Sequence, residues 1–317
     1  MRVKNEYRPS KLQGLVALTN RELKKWVKEP MILAMAIFQP ILWMGLFGKS
    51  MSGMFAANSL SSIQIPDHIP IPGTYIIPQV NGVVYVSGAW LSQVLQQMFS
   101  EIGTKALQNI FGVADYFSYM AMGMVSMIVM FTTMFSGMSI VWDRRLGFLD
   151  KVLSTPVSRA AIILSKVFNA ALRAMFQATI IIALAVVFGL QVSPTFTPIN
   201  VLGVYAAIFL LSTGLSSLFL ALALRSTKQE TQMAIVNLIN MPLTFTSNAF
   251  VPISTMPELL QPIARINPVT YLTDAIRQLM VLPLDLTALL IDFAYLGVFA
   301  VVFSSIGIML SWRYLTK

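Results

Sequence analysis

The chain has 317 residues, 56% of them hydrophobic and 11% charged, against roughly 45–50% and about 25% in a soluble domain, so the charged shell is missing and the composition is that of an integral membrane protein. Lys and Arg total 22 against 13 Asp and Glu, a net charge of +9, which here bears on membrane sidedness and not on nucleic-acid binding. No cysteine and one histidine, His68, exclude disulfide scaffolds, thiol nucleophiles, cysteine zinc sites and most histidine chemistry.

Residues 1–30 read as a cytosolic amphipathic segment. Leu12, Leu15, Val16, Thr19, Leu23, Trp26 and Val27 share one helical face, with Lys11, Arg21, Lys24, Lys25 and Lys28 on the rest. Such a helix lies in a membrane interface, anchored to anionic lipid, offered to a cytosolic partner, or both. Its basic flank is far longer than a signal peptide's, so no cleavable signal is expected. A hydrocarbon core of about 30 Å takes roughly 20 apolar residues in a helix, and six segments qualify: 31–48, 116–142, 166–190, 199–224, 231–252 and 288–312. With both termini inside, eighteen of the 22 Lys and Arg fall on the inner segments, leaving Lys49, Lys105, Arg265 and Arg277 outside. That asymmetry follows the positive-inside rule.

Between the first two spans, residues 49–115 read as a small external α+β cap. Val80-Asn81-Gly82-Val83 is a hairpin signal, and Trp90, Leu91, Val94, Leu95, Met98, Phe99 and Ile102 make an apolar stripe at helical spacing. The second span carries seven methionines, of which Met127, Met130 and Met134 are candidates for lining a path, although ordinary packing explains them as well. The inner loop 143–165 reads DRRLGFLDKVLSTPVSRAAIILS. Leu146, Leu149 and Leu153 fall on one helical face without an obvious core to bury them, which suggests a knob for a soluble partner; lipid headgroups are the other candidate. Thr155-Pro156 is expected to cap the next helix. In the outer segment 253–287, two short helices broken at Asn267-Pro268 suit a pair that dips into the outer leaflet, bringing Arg265, Asp274 and Arg277 to the outer mouth of a path. Asp292, near the outer end of the last span, can snorkel to water.

Gly48-Lys49-Ser50 ends like a phosphate loop, but the position of the first glycine is Trp43, so ATP is not expected to bind there. Three quoted stretches carry a family likeness: RELKKWVKEP leading into Phe38-Gln39-Pro40, then WDRRLGFLDKVLSTPVSR, then Asn267-Pro268-Val269-Thr270-Tyr271-Leu272-Thr273-Asp274 running on to Arg277. Together they resemble the ABC-2 type transporter family, membrane subunits of ATP-binding-cassette exporters, in its daunorubicin-resistance-like branch; the cap is the main departure. The resemblance implies an all-α, six-span permease with no enzymatic activity, in a prokaryotic cell membrane. It implies a partner copy (a homodimer or a close paralogue), surrounding lipid, and separate cytosolic ATPase subunits that hold ATP and magnesium. By that likeness Arg144, Arg145, Leu146, Leu149, Leu153 and Arg159 would couple to the ATPase, and Arg21, Lys24, Lys25 and Trp26 would belong to a connecting helix. Asn267, Pro268, Tyr271, Asp274 and Arg277 would form an outer gate. The alternatives are an ion-gradient-driven transporter or channel, which normally carries acidic or histidine groups at mid-membrane, and a membrane-anchored scaffold that works through its cap.

Overall fold

The computed structural model describes residues 11–51, 65–66, 68–72, 83–155, 157–225 and 228–315, and these are overwhelmingly helical. They fall into two compact units, Met1–Trp43 with Ser118–Lys317, and Met44–Phe117. In chain order the helices are α1 (Lys11–Val27), α2 (Pro30–Trp43), α3 (Gly88–Phe111), α4 (Tyr116–Met134), α5 (Ser136–Arg145), α6 (Phe148–Leu153) and α7 (Arg159–Val187). They continue with α8 (Pro198–Arg225), α9 (Gln229–Phe245), α10 (Gln261–Ile266), α11 (Pro268–Met280) and α12 (Leu286–Leu315).

The larger unit is built around α8, which packs against α5, α7, α9, α11 and α12. Every residue from Ser118 to Met130 of α4 is buried. Among the described residues, four helical stretches are long and apolar enough to cross a membrane: Gly88–Arg145, which contains α4, then Arg159–Val187, Pro198–Arg225 and Leu286–Leu310. Two of the six expected spans are shorter as helices. Helix α2 has 14 residues and runs on through a π-helical turn, Met44–Lys49; α9 has 17. Expected to remain helical to residue 252, α9 instead stops at Phe245, beyond Pro242, and the chain turns through Thr246–Ala249. The second expected span breaks at Phe135. One turn earlier, the Thr133 hydroxyl donates to the carbonyls of Val129 and Met130 at 2.8 and 2.9 Å, a back-bond that bends helices.

Close approach fixes residue choice where the helices cross. A Cβ on Gly123 of α4 would collide with the Ala249 carbonyl. Small residues at crossings are the usual means of bringing helices together in a membrane, where no hydrophobic force does so.

The smaller unit holds a two-stranded antiparallel sheet, β1 (His68–Pro72) and β2 (Val83–Ser87), followed by α3. Pro72 pairs with Val83 and His68 with Ser87. Val83 is therefore not paired with Val80, as a two-residue turn at Asn81-Gly82 would require; Asn81 and Gly82 themselves lie outside the described residues.

Candidate functional site

The larger unit gathers its polar side chains into two clusters. The first joins α1, α5 and α7. Lys166 donates to Asp143 Oδ2 at 2.6 Å and to Ser139 Oγ at 3.1 Å, and stands 3.5 Å from Glu22 Oε1. Arg21 binds Glu22 Oε1 at 2.8 Å and reaches Asp143 Oδ1 at 3.5 Å, while its guanidinium carbon sits 3.4 Å from the Phe148 ring centroid. Glu22, Asp143 and Lys166 are all buried. Two positive and two negative groups compensate one another, the condition under which buried charge is tolerable. Trp26, also buried, meets the Phe176 ring edge-on at 5.5 Å and lies under Arg173. Lys24, Lys25 and Lys28, with Ala17, Asn20 and Arg21, line an open groove of about 630 Å³.

These contacts hold the loop between α5 and α7 from both sides. Gly147 turns the chain between α5 and α6 with φ 67, a left-handed conformation that glycine adopts without penalty. The expected exposed stripe divides. Leu149 is 4% exposed and joins Val152 in a cluster with Ile140, Val141, Ile162, Ile163, Val167 and Leu220. Leu153 is half-buried on the edge of that cluster, and Leu146 alone is open, at 68%. The expectation that this stripe lacks a core of its own is corrected: α5, α7 and α8 supply one. Arg145, Asp150 and Lys151 are exposed beside Leu146, whereas Arg144 is half-buried and donates to the Leu224 carbonyl at 3.3 Å. Arg159 is half-buried in the first turn of α7. That helix is capped by Ser158, whose hydroxyl accepts from Ala161 N–H at 3.3 Å. Thr155, the expected cap, instead donates to the Val152 carbonyl at 2.6 Å, and Pro156 lies outside the described residues.

The second cluster forms where α4, the turn after α9, α11 and α12 meet. Asn267 ends α10 and caps α11, its Oδ1 accepting from Val269 N–H at 2.9 Å while its amide donates to the Leu243 carbonyl at 2.8 Å. Pro268 follows at the first helical position, where its missing N–H costs nothing. Arg277 is 1% exposed. Its guanidinium donates to the carbonyls of Asn248 at 2.8 Å, Ala249 at 2.7 Å and Tyr119 at 3.2 Å, and packs 3.3 Å from the Tyr119 ring centroid. The carbonyls freed where α9 stops are thus taken by a cation. The Asn248 amide donates to Asp274; burial raises the Asp274 carboxyl above its ordinary value, against the pull of Arg277 and Asn248.

Tyr271 stacks on Tyr295, ring centroids 3.8 Å apart, and their hydroxyls donate to the carbonyls of Arg265 and Ile266. Asp292 does not snorkel: it is 6% exposed and accepts from the Gln278 amide at 3.0 Å. Met127, Met130 and Met134 are packed with Leu215, Phe219, Val236, Ala249 and Val269; this cluster encloses them, so the expected path-lining role is replaced by core packing. Sequence reasoning missed the Lys166–Asp143 pair and the Gln278–Asp292 bond. The available signal was a lone acid, Asp143, set against two arginines at the end of a span.

An all-helical membrane unit with a charge-clamped inner loop and a broken helix pair near its last span is the architecture of a transport permease. Residues 13–281 match the ABC-2 type transporter family, and the chain belongs to it. Among curated relatives, ycf38 of Cyanophora paradoxa, which carries a transport-permease name, is 33% identical over 143 residues, 45% of this chain and 48% of its own. The ycf38 of Pyropia yezoensis is 25% identical over 280 residues, 86% and 76%. The daunorubicin resistance ABC transporter permease protein DrrB1 of Streptomyces coeruleorubidus is 25% identical over 166 residues, 52% and 58%. The match spans about half the length of the Cyanophora and Streptomyces relatives.

Proposed function

We propose that this chain is the membrane subunit of an ATP-driven exporter, multi-pass in a prokaryotic cell membrane with both termini in the cytosol, paired with a second permease and with separate cytosolic ATPase subunits. The observation that carries this reading is the α5–α7 loop. Leu149 and Val152 root it in the membrane unit, while Leu146 stands exposed among Arg145, Asp150 and Lys151. A rigid knob with an apolar tip and a charged rim suits insertion into a groove of a soluble protein. ATP and magnesium would be held by that partner, because the chain lacks the G-x-x-x-x-G-K-[ST] pattern. The α1 helix, clamped to the root of the same loop through Arg21 and Glu22, would carry the motion along.

The path is best sought along α9. Its open face carries Thr231, Asn237, Leu238 and Met241, with Asn240 and Thr244 at the edge. Unpaired polar groups facing lipid are costly, and they belong against a water-filled path or a second copy. The test is co-purification with the ABC ATPase encoded alongside the permease. Leu146→Asp is expected to abolish the complex while leaving the permease's melting temperature unchanged. Full retention of the ATPase by that variant overturns the coupling assignment.

A further inference from the structure

Helix α3 receives almost no cover from its own chain. Of its 24 residues only Gly88 and Leu107 are buried. Trp90, Met98 and Ile102 are each more than half exposed. Leu91, Val94, Leu95, Met98 and Ile102 share one arc of the helix, and Gln93, Gln97, Ser100 and Thr104 share the opposite one. The helix has two charges, Glu101 and Lys105, and they neutralise each other at 2.7 Å.

What covers the apolar arc is indicated at the end of the helix. Gly112 closes α3 with φ 73, its N–H on the Gln108 carbonyl, and α4 begins at Tyr116. At this junction the Phe111 and Tyr116 rings meet edge-on at 5.1 Å, and Lys49 Nζ lies 4.8 Å from the Phe117 ring centroid. Three aromatic rings and a lysine beside the start of an apolar helix are the composition of a water–lipid boundary. An amphipathic helix that begins at that level has lipid within reach along its length.

The geometry points to the outer leaflet as the partner of α3: the helix lies along the headgroup–acyl boundary with Leu91, Val94, Leu95, Met98 and Ile102 in lipid and the glutamine–serine arc in water. Because Glu101 and Lys105 cancel, the contact is hydrophobic and needs no anionic headgroup, unlike the lysine-rich face of α1. The inference rests on reading α4 and α12 as membrane spans with the cap outside.

The chain has no cysteine, so one introduced thiol carries one nitroxide. Single cysteines along 93–105 in the full chain, reconstituted in phosphatidylcholine vesicles, are probed by collision with oxygen and with a water-soluble nickel chelate. The expected oxygen-to-nickel ratio is several-fold higher at Met98→Cys and Ile102→Cys than at Gln97→Cys and Ser100→Cys, with helical periodicity. Unfolding midpoints matching the parent confirm that the labelled chains are folded. Equal access of both reagents at Met98 and Ile102 overturns the inference in favour of water. Exclusion of both, with line broadening between labels, overturns it in favour of a second copy. Val301→Cys, on the open face of α12, separates the two levels: if it lacks the lipid signature, the span reading itself fails.

Discussion

Arg277→Met keeps an apolar stem of similar length and removes the guanidinium fork. The Asn248 carbonyl keeps a donor in the Tyr119 hydroxyl at 3.2 Å, whereas the Ala249 carbonyl loses the donor that stands 2.7 Å from it. Hydrogen bonds from a charged group contribute about 1.5–3 kcal/mol, and a stranded buried acceptor costs about 1–3 kcal/mol. The gain is not the sum of four contacts, since the variant also escapes the cost of burying a cation; a net loss of about 3–5 kcal/mol is expected. Arg277→Lys restores the charge but not the fork, so one ammonium cannot span carbonyls contributed by α4 and by the turn after α9. It should recover less than half of the loss. Asp274, one turn away and bonded to Asn248, loses its neighbouring cation in the methionine variant. Arg277→Met with Asp274→Asn should therefore be more stable than Arg277→Met alone. Reversible unfolding in mixed micelles, titrated with SDS, measures all three. A loss below about 1 kcal/mol, or a lysine variant equal to the parent, refutes the view that the fork joins these elements.

Three further outcomes follow from the same geometry. Lys166→Met leaves Asp143 buried with only the more distant Arg21, and should cost about 3–5 kcal/mol; adding Asp143→Leu should return part of it, and strict additivity in a double-mutant cycle would count against a coupled cluster. Leu149→Ala is expected to destabilise by about 2–4 kcal/mol, while Leu146→Ala stays within about 0.5 kcal/mol; equal effects would mean that the loop is not rooted as described. Gly123→Ala should lower the melting temperature sharply because the Ala249 carbonyl occupies the space, whereas Gly297→Ala, with nothing near its Cβ, should be tolerated.

The apolar runs and the Asn267-Pro268 break were legible in the sequence because both are local: hydrophobic length and a proline after an N-cap need no tertiary context. The partners of Arg277 were not. They are backbone carbonyls 28, 29 and 158 residues away, and no residue type announces an open carbonyl. Leu146, Leu149 and Leu153 show the same limit from the other side, since helical spacing identifies a shared face but not what covers it. The methionines of α4 likewise suggested a path only until α8, α9 and α11 were seen to enclose them. The length of α9 was overread because hydropathy stays high beyond the point where Pro242 and the following turn end the helix.

The four-charge cluster also sets an order of assembly. Helix α1 leaves the ribosome first, yet Glu22 must wait for Asp143 and Lys166, made far downstream. Until α5 and α7 are inserted, Arg21 and Glu22 are solvated neighbours on a helix that only the membrane surface holds. Docking of α1 is thus a late event that requires both helices flanking the α6 loop to be in place. A chain with a misinserted α5 or α7 would leave two unmatched charges at the base of the unit, a mark by which quality control could distinguish it from a finished permease.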